Sequence, residues 1–210
     1  GGKTGFTLLP PSQTGIHFTN ELDTWKGEAN RVLANGSGLA AGDFDNDGWP
    51  DLYFCSLQGS NVLYKNLGGG TFKDLTAESG IVCPGQNYRG AVFADVTGDG
   101  WLDLLVATTG SGVLCFTNDG HGKFADATAF AGTASKYGSV TLALADVDGN
   151  GTLDLYVCNN RTDDIRDRGE VNLQMARGQL RIPPALKDRL VVVNGQVIEY
   201  GEPDALYLND

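Results

Sequence analysis

The sequence predicts an all-β fold, namely a β-propeller of four-stranded antiparallel blades, of which about three are present. A repeat of roughly fifty residues runs along most of the chain. Glycine accounts for 30 of 210 residues without a collagen-like triplet period, which indicates many tight turns between short strands. The intervals between the repeated segments show no sustained 3.6-residue period, which disfavours a helical repeat. One such sheet cannot bury both of its faces alone, and stacked blades cover them.

The repeat is clearest in three segments that match when the chain is aligned against itself, at 38–56, 91–109 and 142–160. Their first aspartates, Asp43, Asp95 and Asp146, are 52 and 51 residues apart. A spacing this regular sets the architecture before any single element is assigned.

The similarity extends into the residues that follow, where Phe72 matches Phe124 and Asn66 matches Asn118. Each unit is therefore expected to contain four short strands, the last two joined by a turn of the GGGT or DGHGK type. In the first unit we expect the strands at about 38–44, 51–57, 61–67 and 70–77.

The chain is expected to form one partial propeller domain over residues 1–210. Its parts are the end of a preceding or closing blade at 1–37, blades at 38–82, 83–133 and 134–210, and an insertion at 161–203 within the last blade. Residues 6–16 resemble the end of a blade at 72–81, and residues 204–210 resemble the start of the second hairpin at 61–67. We therefore expect the remaining blades of a longer chain as partners, and open strand edges that favour association.

Each unit carries an aspartate-rich loop with the pattern D-x-[DT]-x-[DN]-G-x-x-D. Carboxylates at alternate positions converge as the chain curls, and a hard cation that prefers oxygen can then collect about six ligands. The glycine at position six allows the sharp turn that directs the next backbone carbonyl toward the ion. The pattern therefore predicts up to three Ca²⁺ sites. The candidate ligands are Asp43, Asp45, Asp47, Trp49 and Asp51; Asp95, Thr97, Asp99, Trp101 and Asp103; and Asp146, Asp148, Asn150, Thr152 and Asp154.

Two other interpretations of these loops remain to be weighed. An EF-hand shares the first positions but needs a bidentate glutamate at position twelve, where the sequence has Phe54, Val106 and Val157. Unliganded turns capped by Asx side chains would also favour Asp, Asn and Gly. Three loops in register make an ion the better explanation, because four carboxylates within nine residues repel one another without one. If affinity follows charge, the first loop binds most tightly, with dissociation constants nearer ~10⁻⁴ M than ~10⁻⁸ M.

Composition excludes several classes of function. The net charge of −11 repels nucleic-acid phosphates, so we expect no nucleic-acid partner. No apolar stretch of membrane-spanning length occurs. The four cysteines lack CxxC spacing and are expected to be buried free thiols. Only two histidines occur, both expected at the surface, and no nucleophile motif is present, so we expect no catalytic residues.

The loop motif at 40–54 and the companion hairpin at 63–76 resemble the FG-GAP/VCBS repeat family, whose blades are similar to those of integrin α-subunit propellers. Together with residues 204–210 and the segment RTDDIRDR, they are similar to bacterial cartilage-acidic-protein-like members that often carry an ASPIC/UnbV domain. The resemblance implies a seven-bladed propeller, calcium at positions one, three, five, seven and nine of each loop, and a secreted, cell-surface or periplasmic location. Thr97 and Asn150 depart from the all-aspartate pattern.

The insertion, about forty residues long, replaces a short turn in the third unit. It holds seven of the fifteen basic residues, and 191–200 is predicted to form a hairpin with an Asn-Gly turn. A long loop on a rigid scaffold often binds a ligand, whereas a salt-bridged flap over a blade edge would have the same composition. Both interpretations stay open.

Three functions follow from these features. The first is a calcium-stabilised module for binding or adhesion to an extracellular protein or glycan. The second is the propeller scaffold of a secreted polysaccharide-active enzyme, and the third is a purely structural spacer in a surface protein.

Overall fold

The computed structural model describes residues 5–83, 87–168, 173–176 and 179–210, and it confirms the all-β fold with propeller-type sheets. The first sheet contains four antiparallel strands in chain order. These are β1 (Leu39–Gly42), β2 (Asp51–Phe54), β3 (Val62–Asn66) and β4 (Phe72–Asp74). The strands are shorter than the sequence predicts, because the aspartate loop takes up the end of β1 and a helical turn follows β4.

The second sheet repeats this arrangement, again with four antiparallel strands in chain order. Its strands are β5 (Tyr88–Ala94), β6 (Asp103–Thr108), β7 (Val113–Asn118) and β8 (Phe124–Asp126). Every residue of β6 is buried, as expected for a strand between two neighbouring sheets.

The third sheet begins with β9 (Ser139–Ala145) and β10 (Asp154–Asn159), which pair antiparallel. The insertion follows and forms two small hairpins. They comprise β11 (Gln174–Ala176) with β12 (Gln179–Arg181), and β13 (Leu190–Val193) with β14 (Gln196–Glu199). The chain then returns as β15 (Ala205–Tyr207), which pairs antiparallel with β10. The predicted Asn-Gly turn is confirmed, since Asn194 and Gly195 have φ of 52° and 78°.

Short α-helices lie in the N-terminal segment and after the last strand of each of the first two sheets. They are α1 (Pro11–Thr14), α2 (Thr24–Ala29), α3 (Thr76–Ser79) and α4 (Thr128–Ala131). α1, α3 and α4 each end at a glycine in the left-handed region, respectively Gly15, Gly80 and Gly132. Because α3 and α4 follow the last strand of their sheets, α1 matches the end of a unit, as residues 6–16 suggested.

The core lies between the stacked sheets. Phe44, in the aspartate loop after β1, packs edge-on against Phe124 of the second sheet, with ring centroids 5.7 Å apart. Tyr53 and Leu63 of the first sheet are buried in the same cluster. A second cluster joins sheets two and three through Leu105, Val113, Leu155 and Val157. Each sheet therefore covers one face of its neighbour, as propeller blades do.

The four cysteines are free thiols, of which Cys55 and Cys115 are buried and Cys83 and Cys158 are half-buried. Burial raises the pKa of Cys55 to about 12 and that of Cys115 to about 11, with smaller contributions from neighbouring acidic groups. These two thiols pack as small apolar side chains.

Candidate metal centre

The three aspartate loops lie at equivalent places, each joining the first two strands of its sheet. The first aspartate organises the loop by accepting backbone N–H groups from residues further along it. In the first loop, Asp43 Oδ1 accepts from Asp47 N at 3.0 Å and Oδ2 from Gly48 N at 2.8 Å. Asp95 and Asp146 repeat the pattern.

The glycine at position six adopts the left-handed backbone that the predicted sharp turn requires. Gly48, Gly100 and Gly151 have φ of 88°, 90° and 90°, a region that other residues rarely adopt. The loops therefore share one conformation.

The ninth-position aspartate is buried and ties the loop to the third strand. Asp51 Oδ2 accepts from Phe44 N at 3.1 Å, and its Oδ1 accepts from Asn66 N at 2.7 Å. Asp103 and Asp154 make the equivalent bonds. Burial raises the pKa of Asp51 to about 6 against the opposing hydrogen bonds, and it also raises the pKa of Asp103.

Two loops bring three carboxylates together. Asp43, Asp45 and Asp51 each place an oxygen within 4.8 Å of the others, and Asp146, Asp148 and Asp154 do the same. In the first group, Asp45 Oδ1 is buried and has no hydrogen-bond partner. A buried carboxylate oxygen without a partner, on a residue that is grouped with two other carboxylates, fits a hard divalent cation.

The second loop lacks such a triad because Thr97 occupies the third position. The Thr97 hydroxyl and backbone N–H both donate to Asp103 Oδ2, at 3.3 and 3.2 Å. The fifth-position side chains, Asp47, Asp99 and Asn150, lie outside the two triads and instead accept the N–H of the seventh residue. In the first and third loops, the predicted carboxylates at positions one, three and nine therefore meet, and Asp47 at position five of the first loop does not join them.

A lysine that sequence analysis missed enters the first loop from β3. The Lys65 ammonium donates to Asp45 and, at 2.7 Å, to Asp47 Oδ2. Burial works against the ammonium charge, but the hydrogen bonds to both carboxylates outweigh it, so the pKa of Lys65 is raised. The hydrogen bond from Lys65 lowers the pKa of Asp47. The positive charge of the Lys65 ammonium thus already balances part of the negative charge of this cluster.

Comparison with known proteins identifies the repeat. The family model described as "FG-GAP-like repeat" matches residues 43–106 and 95–157, which together cover more than half of the chain. The chain belongs to the FG-GAP-like repeat family. The resemblance inferred from the loops and hairpins is therefore confirmed.

The FG-GAP-like chain is also similar to cartilage acidic protein 1 from three vertebrates. Identity is 31% over 106 residues in Xenopus tropicalis, 33% over 89 in Mus musculus and 30% over 130 in Homo sapiens. The matches cover 43%, 42% and 59% of this chain but only 16%, 14% and 19% of the relatives. The chain therefore spans less than a fifth of the length of these relatives. No helix in its described residues is long and apolar enough to cross a membrane.

The seventh-position residues support the FG-GAP-like hairpins. A ring atom of Trp49 lies 3.0 Å from where a Cβ on Gly68 would stand, so the indole packs on the hairpin turn, and Trp101 covers Gly120 in the same way. Thr152 instead donates through its hydroxyl to the Asn209 carbonyl. The side chains of Trp49 and Trp101 are therefore structural, and the predicted ligand at this position is the backbone carbonyl.

Asparagines at the same place in the second and third units fasten each of them to the preceding FG-GAP-like unit. Asn118 Nδ2 donates to Phe44 O of the preceding loop at 2.7 Å and to Leu102 O of its own loop at 3.0 Å. Asn209 joins Val96 O and Leu153 O equivalently. The recurrence of this asparagine in the repeat was the available signal, although its partners lie in loops far along the sequence.

Proposed function

We propose that this FG-GAP-like chain is a calcium-stabilised recognition module that works outside the cytoplasm and binds a protein or a glycan. The observation that carries the proposal is the pair of carboxylate triads at the same place in the first and third sheets, with Asp45 Oδ1 buried and unpartnered in one of them. Oxygen ligands of this kind favour Ca²⁺ over softer metals.

The chain's own residues explain what an ion would do. Asp51 and Asp154 already hold the third strand and the loop through backbone hydrogen bonds. A cation bound to these carboxylates and to the first and third aspartates would relieve the repulsion between them. Calcium would supply this charge compensation and fix the loop against the sheet.

An extracellular location is consistent with the expected calcium affinity and with the similar proteins. Extracellular calcium modules bind with dissociation constants of about 10⁻⁴ to 10⁻³ M, the range expected for loops with three converging carboxylates. The similar proteins carry the name cartilage acidic protein. We therefore place this module among secreted, surface or periplasmic proteins.

The insertion offers the best site for a partner. A groove of about 640 Å³ is lined by its ionic and apolar side chains, among them Arg166, Leu190 and Val197. This volume lies within the ~300–1,000 Å³ of ligand sites. Its walls are held by ion pairs, since Arg161 and Arg189 both contact Glu199 at 2.6 Å. The insertion can therefore be both salt-bridged and a ligand site, because the salt bridges hold the walls of the groove rigid.

Thermal unfolding tests the calcium part of the proposal. One site with a dissociation constant of ~10⁻⁴ M adds about 1.4 kcal/mol at ~1 mM free Ca²⁺. Two such sites should raise the unfolding temperature by roughly 6–10 °C in a chain of this size, and a chelator should reverse the gain.

The variant Asp148→Asn should lose about half of this gain, because it removes one carboxylate of the third-loop triad. Asp188→Asn is the matched control, since Asp188 is exposed and lies outside the loops. An unfolding temperature that does not respond to calcium would sink the proposal, as would an equal loss in both variants.

A further inference from the structure

We propose that a pocket lined by Arg89 and Arg161, at the end of the sheets opposite the aspartate loops, binds a small oxyanion such as a carboxylate or sulfate group. The pocket has a volume of about 220 Å³, and its described lining residues lie between positions 32 and 161, away from both ends of the chain. The site is separate from the aspartate loops and from the groove of the insertion, so it goes beyond the proposed function.

Equivalent residues of the three units meet at this pocket. Ser37, Arg89 and Val140 each stand six positions before the first aspartate of their loop, and all three line the pocket. Thr109 and Asn160, which directly follow β6 and β10, line it as well. Because the first strand of each sheet runs from here to the aspartate loop and the second strand returns, the pocket and the loops lie at opposite ends.

A β-bulge sets the position of Arg89. In the pairing of β5 with β6 the register shifts between Tyr88 and Gly90, so Arg89 is the extra residue. A register shift in the third sheet leaves Val140 as the extra residue of β9 in the same way. Such bulges redirect a side chain out of the regular alternation of a strand. The fold does not need an arginine here, since Ser37 and Val140 occupy the same place in the other units.

The Arg89 guanidinium is buried without a negative partner. The residue is only 7% exposed. Its Nε donates to Thr109 Oγ1 at 3.0 Å, while Nη1 and Nη2 donate to the backbone carbonyls of Gly36 at 3.1 Å and Val32 at 2.6 Å. These acceptors hold the guanidinium in place but carry no net charge.

No described acid offsets this charge. Burial lowers the pKa of Arg89, and among the described residues no carboxylate opposes the effect. Burying a charge without a counter-charge is costly, and a bound anion would remove that cost. The guanidinium is therefore both fixed in position and short of one negative partner.

A second arginine adds an unused donor to the same pocket. Arg161 Nε is buried and has no hydrogen-bond partner. Its Nη1 contacts Glu199 at 2.6 Å, so the charge of Arg161 is balanced while the Nε–H group is not used. Guanidinium N–H groups form strong, directional hydrogen bonds to carboxylate, sulfate and phosphate oxygens.

The lining contrasts with the rest of this acidic chain. The chain has 26 acidic and 15 basic residues, yet none of the described lining residues is acidic. Glu202 approaches from the insertion, but its carboxylate already accepts the N–H groups of Gly138 at 2.5 Å and Thr162 at 3.3 Å. The pocket therefore keeps a positive charge that the surrounding residues do not cancel.

The size of the pocket restricts the ligand to a small group. A cavity of about 150 Å³ is enough to hold benzene, and typical sites for larger organic ligands have ~300–1,000 Å³. The Thr109 hydroxyl accepts from Arg89 and keeps its own proton to donate. A carboxylate or sulfate group could therefore bond to both arginines and to this hydroxyl.

Calorimetric titration of the metal-free chain with sodium sulfate and with sodium acetate tests the proposal. Ionic strength is held constant with sodium chloride, which supplies a competing anion without hydrogen-bonding oxygens. Several charge-assisted hydrogen bonds should give a dissociation constant of about 1 mM for at least one of the two ions. Tighter binding of sulfate indicates a tetrahedral oxyanion as the ligand and tighter binding of acetate indicates a carboxylate, and both results support the proposal.

Two variants test the role of the uncompensated charge. Arg89→Gln should weaken binding at least about tenfold, because it removes the charge. Val140→Glu leaves Arg89 in place and introduces a carboxylate at the equivalent position, so it should compete with the added anion and weaken binding by a similar factor. The new ion pair should also raise the unfolding temperature by roughly 2–4 °C in a chain of this size.

Val140→Gln is the matched control for Val140→Glu, since it has nearly the same size and no charge. It should bind sulfate and acetate as the unchanged chain does, without the gain in unfolding temperature. No binding of either ion up to about 20 mM would overturn the proposal, and so would equal binding by Val140→Glu and Val140→Gln. Asp148→Asn should keep its oxyanion binding, which separates a failure at this pocket from a failure at the calcium loops.

Discussion

The carboxylates of each aspartate loop have different roles according to their position. The Asp43 carboxylate shapes the loop by accepting hydrogen bonds from backbone N–H groups of later loop residues, and Asp51 ties the loop to the third strand. Asp45 has a buried oxygen without a partner, although its other oxygen contacts Lys65. The residue expected to respond most to a bound ion is therefore Asp45, at position three of the loop. Lys65 competes with the ion for this carboxylate.

Replacing this lysine should strengthen calcium binding. Lys65→Gln removes the ammonium that contacts Asp45 and Asp47, so we expect the first loop to bind Ca²⁺ at least about fivefold more tightly. Two unit charges 4 Å apart interact by about 1 kcal/mol even in water. The measurement is a calcium titration of both proteins.

Lys73→Gln serves as the control for this change, since Lys73 is exposed and contacts Glu78 at 3.9 Å rather than the loop. Weaker binding in Lys65→Gln than in Lys73→Gln would show that the lysine supports the site.

Asn118, which links two units, should contribute more to the free energy of unfolding than Asn66, which bonds within one unit. Asn118→Ala leaves the buried Phe44 carbonyl without its donor, which should lower the free energy of unfolding by about 1–3 kcal/mol. Asn66→Ala loses the bond to Pro50 O and the bond that Asn66 Oδ1 accepts from Gly68 N, both within one unit, so its cost should be smaller. Urea unfolding of both variants measures the difference, and equal losses would contradict the role in joining units.

At the scale of elements, the junctions between sheets depend on close backbone approach. Gly80 ends α3 with φ of 79°, and a Cβ there would lie 2.8 Å from Phe124 O in the next sheet. The helical turn and the outer strand of the following unit are therefore packed backbone to backbone.

An alanine at this junction should be costly. Gly80→Ala combines left-handed strain of about 1–2 kcal/mol with a clash that adds roughly 1–3 kcal/mol. Gly69→Ala isolates the strain, because Gly69 also has positive φ but open space around it. We expect Gly80→Ala to be the less stable variant in urea unfolding, and similar stabilities would refute the close approach.

Most of the elements were predictable because each repeat carries the same loop and turn signals in its sequence. The spacing of Asp43, Asp95 and Asp146 located the loops, and the two kinds of hairpin turn located the third and fourth strands. The ends of strands were not predictable: residues 75–77 were expected in a strand, but Thr76 begins α3. The Thr76 N–H bonds to Asp74 Oδ1, a local cap that competes with strand pairing.

The convergence of carboxylates was predictable from the sequence, but their surroundings were not. In the first and third loops, positions one, three and nine converge as the pattern indicates, and the assignment of these residues as calcium ligands stays a prediction. The contact of Lys65 with the first loop depends on the pairing of β2 with β3, which brings together residues twenty positions apart. Counting the charges within each loop alone predicts that the first loop binds calcium most tightly. Lys65 bears directly on this ranking because its ammonium competes with an ion, and the ranking stays a prediction.

At the scale of the whole molecule, the chain combines a net charge of −11 with clustered carboxylates, so its stability should depend on divalent cations more than on salt. The two triads lie in the first and third sheets, and the second sheet is packed between these. Ions at both triads would thus stabilise the outer sheets of the stack.

Calorimetric titration of the metal-free chain with calcium tests this account most directly. We expect heat of binding at two sites with dissociation constants of about 10⁻⁴ M, and the loss of one site in Asp148→Asn. No heat up to several millimolar calcium, or two intact sites in Asp148→Asn, would contradict it.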